Sequence, residues 1–92
     1  MSVEESPPLI KVNILFFARS RELAGTACVV LEIEPLIIAK DLVNQLVDRF
    51  DLGSISQNLI IAHNETYIEN LDVEIHLHQG DEIAVIPPIS GG

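Results

Sequence analysis

The sequence predicts an α+β fold in which a mixed sheet packs on one main helix. Three observations carry this reading. Residues near both ends alternate with the period of a strand, residues 39–50 repeat their apolar positions with the period of a helix, and turn-forming residues separate the segments.

Taken in order, residues 1–9 hold Glu4, Glu5 and the Pro7-Pro8 pair, a composition that packs poorly, and are expected to form a loose leader. Residues 10–17 alternate, with Ile10, Val12, Ile14 and Phe16 on one face and Lys11, Asn13, Leu15 and Phe17 on the other. Residues 18–25 contain Arg19, Arg21, Glu22, Leu23 and Ala24, good helix formers closed by Gly25, so a short helical turn is expected. Residues 27–34 place Val29, Leu31 and Ile33 opposite Cys28, Val30, Glu32 and Glu34, which suits a partner to the first strand, and Pro35 ends the run.

The convincing helix covers residues 39–50. Ile38, Leu42, Leu46 and Phe50 recur every fourth position with Val43 and Val47 beside them, whereas Lys40, Asp41, Asn44, Gln45, Asp48 and Arg49 face away. Its start lacks a Ser, Thr or Asp cap, because Ile37 and Ile38 stand there, so tertiary packing has to compensate. Beyond the polar stretch 51–58, residues 59–62 read as a strand, Asn64-Glu65 as a turn and residues 66–68 as a short strand. Residues 69–78 give no clear pattern. Gln79-Gly80-Asp81 is a turn, residues 82–86 form the last strand with Ile83 and Val85 against Ala84 and Ile86, and Pro87-Pro88 stops it. Strand, strand, helix, strands, with the last strand parallel to the first, is the β-grasp order.

At 92 residues the chain is read as one domain, residues 10–86, between the leader and an extended tail, residues 87–92. Hydrophobic residues supply 48% of the chain, too many for disorder, yet no apolar run approaches the ~20 residues of a membrane span. The acidic N-terminus lacks the basic and apolar regions of a secretory signal, so a cytoplasmic location is expected. A formal net charge of −9 opposes nucleic acid and anionic lipid and favours a partner with a basic surface.

The tail carries the chemistry. Proline fixes φ at Pro87 and Pro88, whereas Gly91 and Gly92 lack Cβ atoms and can thread a channel too narrow for other residues. The Gly92 carboxylate is then an unhindered group that an ATP-using partner can convert to an acyl adenylate. Ile89, followed by Ser90 in the same segment, is expected to anchor the tail on a partner.

Residues 12–26, VNILFFARSRELAGT, with residues 80–92, GDEIAVIPPISGG, resemble the small subunit of molybdopterin synthase, a ubiquitin-like family. The resemblance implies a sulfur carrier. An activating enzyme, an adenylyltransferase and sulfurtransferase of the ubiquitin-activating kind, would adenylate Gly92 with ATP, sulfur would replace the adenylate to give a thiocarboxylate, and the tail would enter a large catalytic subunit. Sulfur would pass to a pterin precursor, in an assembly of two large and two small subunits. The carrier would bind no cofactor or metal tightly and would not be catalytic alone. Family partner contacts map onto Phe17, Tyr67 and Ile86, and the alternation independently puts Leu15 and Phe17 outward beside Ala84 and Ile86. Rival readings are a carrier for thiamine or transfer RNA thiolation, a protein modifier joined through Gly92, and an inert binding module.

Other residues weigh towards structure. Cys28 has no neighbouring basic residue to activate it and is expected to be a buried, inert thiol. His76 and His78 share a metal-like spacing but lack a third ligand, so a solvated pair is expected.

Overall fold

Alternation in β1 (Ile10–Phe16) buries Val12, Ile14 and Phe16 and leaves Lys11 exposed, so one face of the strand belongs to the core. The computed structural model describes residues 8–87. Within it β1 pairs antiparallel with β2 (Cys28–Ile33), Ile10 opposite Ile33 and Leu15 opposite Cys28. On its other side β1 runs parallel to β7 (Glu82–Ile86), Asn13 opposite Glu82 and Phe16 opposite Val85. β4 (Ile60–His63) lies antiparallel to β7, and β5 (Thr66–Ile68) closes the sheet in the order β2-β1-β7-β4-β5. This is the β-grasp arrangement, with its parallel pair at the centre.

The short α1 (Ala18–Ala24) interrupts the first hairpin and ends at Gly25, whose φ of 77° is the left-handed conformation that glycine adopts without strain. α2 (Ala39–Phe50) lies across the inner face of the sheet. Its Leu42 and Leu46 are completely buried and Val43 nearly so, each large side chain contributing roughly 1.5–3 kcal/mol through burial. Phe50 meets Phe16 edge-on, with ring centroids 4.8 Å apart. None of the helices of the described residues is long and apolar enough to cross a membrane.

Two strands do not announce themselves in the sequence. β3 (Leu36–Ile38) and β6 (Glu74–His76) form a separate two-stranded sheet, antiparallel, Leu36 opposite His76 and Ile38 opposite Glu74. Pro35 does end β2, but the chain resumes an extended path at once. This small sheet explains the uncapped start of α2. Ala39 N–H donates to the Val73 carbonyl and Lys40 N–H to the Leu71 carbonyl, both at 2.8 Å, so backbone from the loop before β6 does the work of a capping side chain. The polar stretch after α2 contains a 3-10 helix, Gly53–Asn58, and the strand expected at 59–62 sits one residue later.

Candidate functional site

The register brings the outward residues of all five strands into rows. One row runs Cys28, Leu15, Ala84, Ala62, Tyr67, each opposite the next. The next row towards the end of β7 pairs Ile86 with Ile60, and Phe17 follows β1 on the same side. Phe17, Ile60 and Tyr67 are 47%, 43% and 65% exposed, while Leu15, Ala84 and Ile86 are half-buried. Side chains of this kind on one face form a continuous apolar surface at the end of the sheet from which the tail departs. A shallow apolar depression of about 440 Å³ adjoins it, lined by Leu59, Ile60, Tyr67, Ile68, Glu69 and Leu71.

Local structure fixes the two aromatics. Phe17 precedes α1, where the fully buried Ser20 holds it. The Ser20 hydroxyl accepts from Phe17 N–H at 3.1 Å and donates to the Phe17 carbonyl at 2.7 Å, with the Val85 carbonyl at 3.2 Å as a second acceptor. Phe17 N–H also donates to Val85 at 3.2 Å. Ser20 thus ties Phe17 to the strand that leads into the tail. Tyr67 follows a two-residue turn in which Asn64 and Glu65 both have positive φ, 49° and 74°, the geometry that matches the twist of a tight hairpin.

Ile86 leads directly into Pro87, which is buried, so the first prolyl ring belongs to the packed body. Pro88, Ile89, Ser90, Gly91 and Gly92 lie outside the described residues, as do residues 1–7 of the leader.

The opposite end of β7 is polar. His63 Nε2 lies 2.7 Å from Asp81 Oδ2, and the same oxygen accepts from His78 N–H at 2.9 Å. Asn64 and Glu82 exchange bonds, Glu82 N–H to Asn64 Oδ1 at 2.8 Å and Asn64 N–H to the Glu82 carbonyl at 2.9 Å. Partial burial raises the Asp81 carboxyl, but hydrogen bonds from His63, Asn64 and the His78 backbone, with charge attraction to His63, outweigh it and bring the pKa from 3.8 to about 2. This network joins the β4-β5 turn to the loop before β7 and serves architecture.

Cys28 corrects its expectation. It is exposed, because β2 is an edge strand and Cys28 stands on the outer face beside Leu15. His76 and His78 are both exposed, and no cluster of three or more potential metal ligands occurs among the described residues. Ile60, Ser20 and the His63–Asp81 pair were not singled out by sequence. Ile60 was legible in principle, since alternation about the buried Ile61 sends it outward, whereas Ser20 and Asp81 join local partners three residues away to distant ones, Val85 and His63, that only the fold brings near.

A family model described as the ThiS family matches residues 14–92. Over 85 residues the chain is 58% identical to the molybdopterin synthase sulfur carrier subunit of Drosophila ananassae, covering 92% of this chain and 94% of that one. Its counterpart in Aedes aegypti is 46% identical, with 95% and 94% covered. Among solved structures, a complex of subunits 1 and 2 of the molybdopterin-converting factor from Helicobacter pylori contains a chain 25% identical, TM-score 0.62, with 90% of this chain and all of that one covered. The small archaeal modifier protein 1 of Methanosarcina acetivorans superposes with TM-score 0.69 at 26% identity, covering 91% and 98%. The fold, the match along the body and tail, and these identities agree: the chain belongs to the ThiS family, among the molybdopterin synthase sulfur carrier subunits.

Proposed function

We propose that this chain carries sulfur as a thiocarboxylate on Gly92 and delivers it to a pterin precursor held by the large subunit of molybdopterin synthase. The observation that carries the reading is the apolar surface of Phe17, Ile60, Tyr67 and Ile86 at the root of the tail. A partner that covers this surface receives the tail in a fixed direction, since Ile86 and the buried Pro87 belong to the rigid body. The surface offers mainly apolar contact area, with the Tyr67 phenol and no carboxylate, imidazole or amine among its four residues, which suits a donor whose chemistry is completed by another protein. The Helicobacter pylori neighbour, a complex of subunits 1 and 2, supports a large-subunit partner.

Loading needs a second partner. Its ATP is attacked by the Gly92 carboxylate at the α-phosphate, pyrophosphate leaves, a sulfide-level nucleophile (hydrosulfide) then adds to the acyl adenylate carbonyl, and loss of AMP and the sulfur-bound proton leaves the thiocarboxylate. Stoichiometry with the large subunit is two plus two in this reading. The carrier itself holds no cofactor.

Intact-mass measurement tests the proposal. After incubation with an activating enzyme, ATP and a sulfur donor, the chain gains the mass difference between sulfur and oxygen, and a chain lacking Gly92 stays folded and gains nothing. Ladders of conjugates to other proteins would favour a modifier, the role named for the Methanosarcina neighbour. A variant without Gly92 that still supports sulfur transfer would refute the assignment.

A further inference from the structure

On the helix side of the molecule, across the sheet from the apolar outer face, a groove of about 530 Å³ runs between β3 and α2. Leu36, Ile37 and Ile38 line it from the strand, and Asp41, Asn44, Gln45 and Asp48 from the helix, with Glu34 and Glu74 completing it. Leu36 and Ile38 are 45% and 40% exposed. The lining holds four carboxylates and no basic residue. Lys40, next to it in α2, is turned to Asp72 at 3.9 Å.

The backbone of β3 is unfinished on one side. β3 is an end strand of its two-stranded sheet. Leu77 N–H donates to the Pro35 carbonyl at 2.7 Å and Ala39 N–H to the Val73 carbonyl at 2.8 Å. In an antiparallel pair with Ile37 opposite Ile75, these bonds make residues 35, 37 and 39 the positions that bond to β6, so Leu36 and Ile38 direct their N–H groups to the other side. The ladder to β6 uses neither N–H, and no second strand pairs with β3 among the described residues. Exposed strand edges with unpaired donors are templates for another strand.

We propose that this groove takes up an extended basic segment of a partner polypeptide, added as a strand along β3. Its main chain pairs with Leu36 and Ile38, its aliphatic side chains cover those two residues, and its Lys or Arg side chains meet Asp41, Asp48, Glu34 and Glu74. Charge selects the occupant. A second copy of this chain, at net charge −9, is repelled, and so is the chain's own leader with Glu4 and Glu5. The groove and the apolar outer face lie on opposite sides of the sheet, so one partner can hold the groove while another holds the tail. Three residues of edge give a short ladder of roughly 10 Å, which makes the contact weak and salt-dependent.

The test is a titration of the isotope-labelled full chain with the synthetic peptide acetyl-Lys-Val-Lys-Ile-Lys-Val-amide, followed by amide chemical shifts. The largest shifts are expected at Leu36 and Ile38, with others at Asp41, Asp48 and Glu74, and the affinity falls as salt is raised. The same peptide methylated on every backbone nitrogen keeps its charges but cannot complete the ladder, and should bind about tenfold more weakly or worse. A D41N/E74Q double variant with an otherwise unchanged spectrum should lose about the same factor. Three results overturn the proposal: no shifts at the highest soluble peptide concentration, shifts centred on Phe17, Tyr67 and Ile86, or equal binding by the methylated peptide. Sulfur loading at Gly92 is unaffected by any of them.

Discussion

The two ends of β7 are built on opposite plans. At its start, Asp81 gathers His63 and the His78 backbone while Asn64 and Glu82 bond each other, so the polar groups there are satisfied within the chain. At its finish, Ile86 stands beside Ile60 and Phe17 with much of that apolar surface open to water. A region that satisfies itself contributes to folding and needs no partner. A region that leaves aromatic and branched side chains exposed gains only when another protein covers it, so it contributes to binding. The comparison therefore separates stability from affinity along one strand of five residues.

Breaking the apolar end should have the largest effect. Ile86→Asp puts a charge at the centre of the proposed contact and should weaken binding to the large subunit by about 2–4 kcal/mol, or roughly 30- to 1,000-fold. Ile86 is half-buried on the outer face, so the folded body should survive the change. Calorimetric titration with the purified large subunit measures the loss, and retained affinity would remove the outer face from the assembly.

Breaking the polar end should do the reverse. Asp81→Asn removes the acceptor charge of the network and should lower unfolding free energy by about 1–3 kcal/mol at neutral pH while leaving partner affinity unchanged. The sign of the pH effect follows from the depressed carboxyl. With a folded pKa of about 2 against 3.8, the unfolded chain binds the proton first as pH falls, so the Asp81 contribution is complete above pH 3.8 and is lost towards pH 2. Urea titrations at stepped pH should show the wild-type advantage over the variant shrinking across that window. A constant difference would mean that the carboxylate charge is not what stabilises this end.

Sequence alone carried the apolar end much further than the polar one, for a physical reason. Alternation about Phe16 and Val85 is local information, and it placed Phe17 and Ile86 on the outer face with no knowledge of tertiary structure. The helix from Ala39 to Phe50 was legible through its period in the same way. β3 and β6 were not, because, unlike the equally short β5 beside its Asn64-Glu65 turn, they exist only through pairing across some forty residues. Cys28 misled because its residue type is commonly buried, while its position on an edge strand exposes it. The polar network was hidden because His63 and Asp81 are eighteen residues apart and gain significance only from the fold.

Ser20 offers the smallest and sharpest test, because it touches both plans at once. Its hydroxyl is satisfied within the chain like the polar end, yet its partners are Phe17 and Val85, which belong to the apolar end. Ser20→Ala leaves no charge unpaired, and Phe17 N–H keeps its 3.2 Å bond to Val85. The cost to stability should accordingly be about 1 kcal/mol. If Ser20 only fills space, partner affinity stays at the wild-type value. If it holds Phe17 in the orientation the partner reads, affinity also drops, by about two- to fivefold, because freeing one aromatic anchor adds ordering entropy to binding. Measuring both quantities on this one variant decides whether the boundary between the two regions lies between α1 and β7 or runs through the hydroxyl itself.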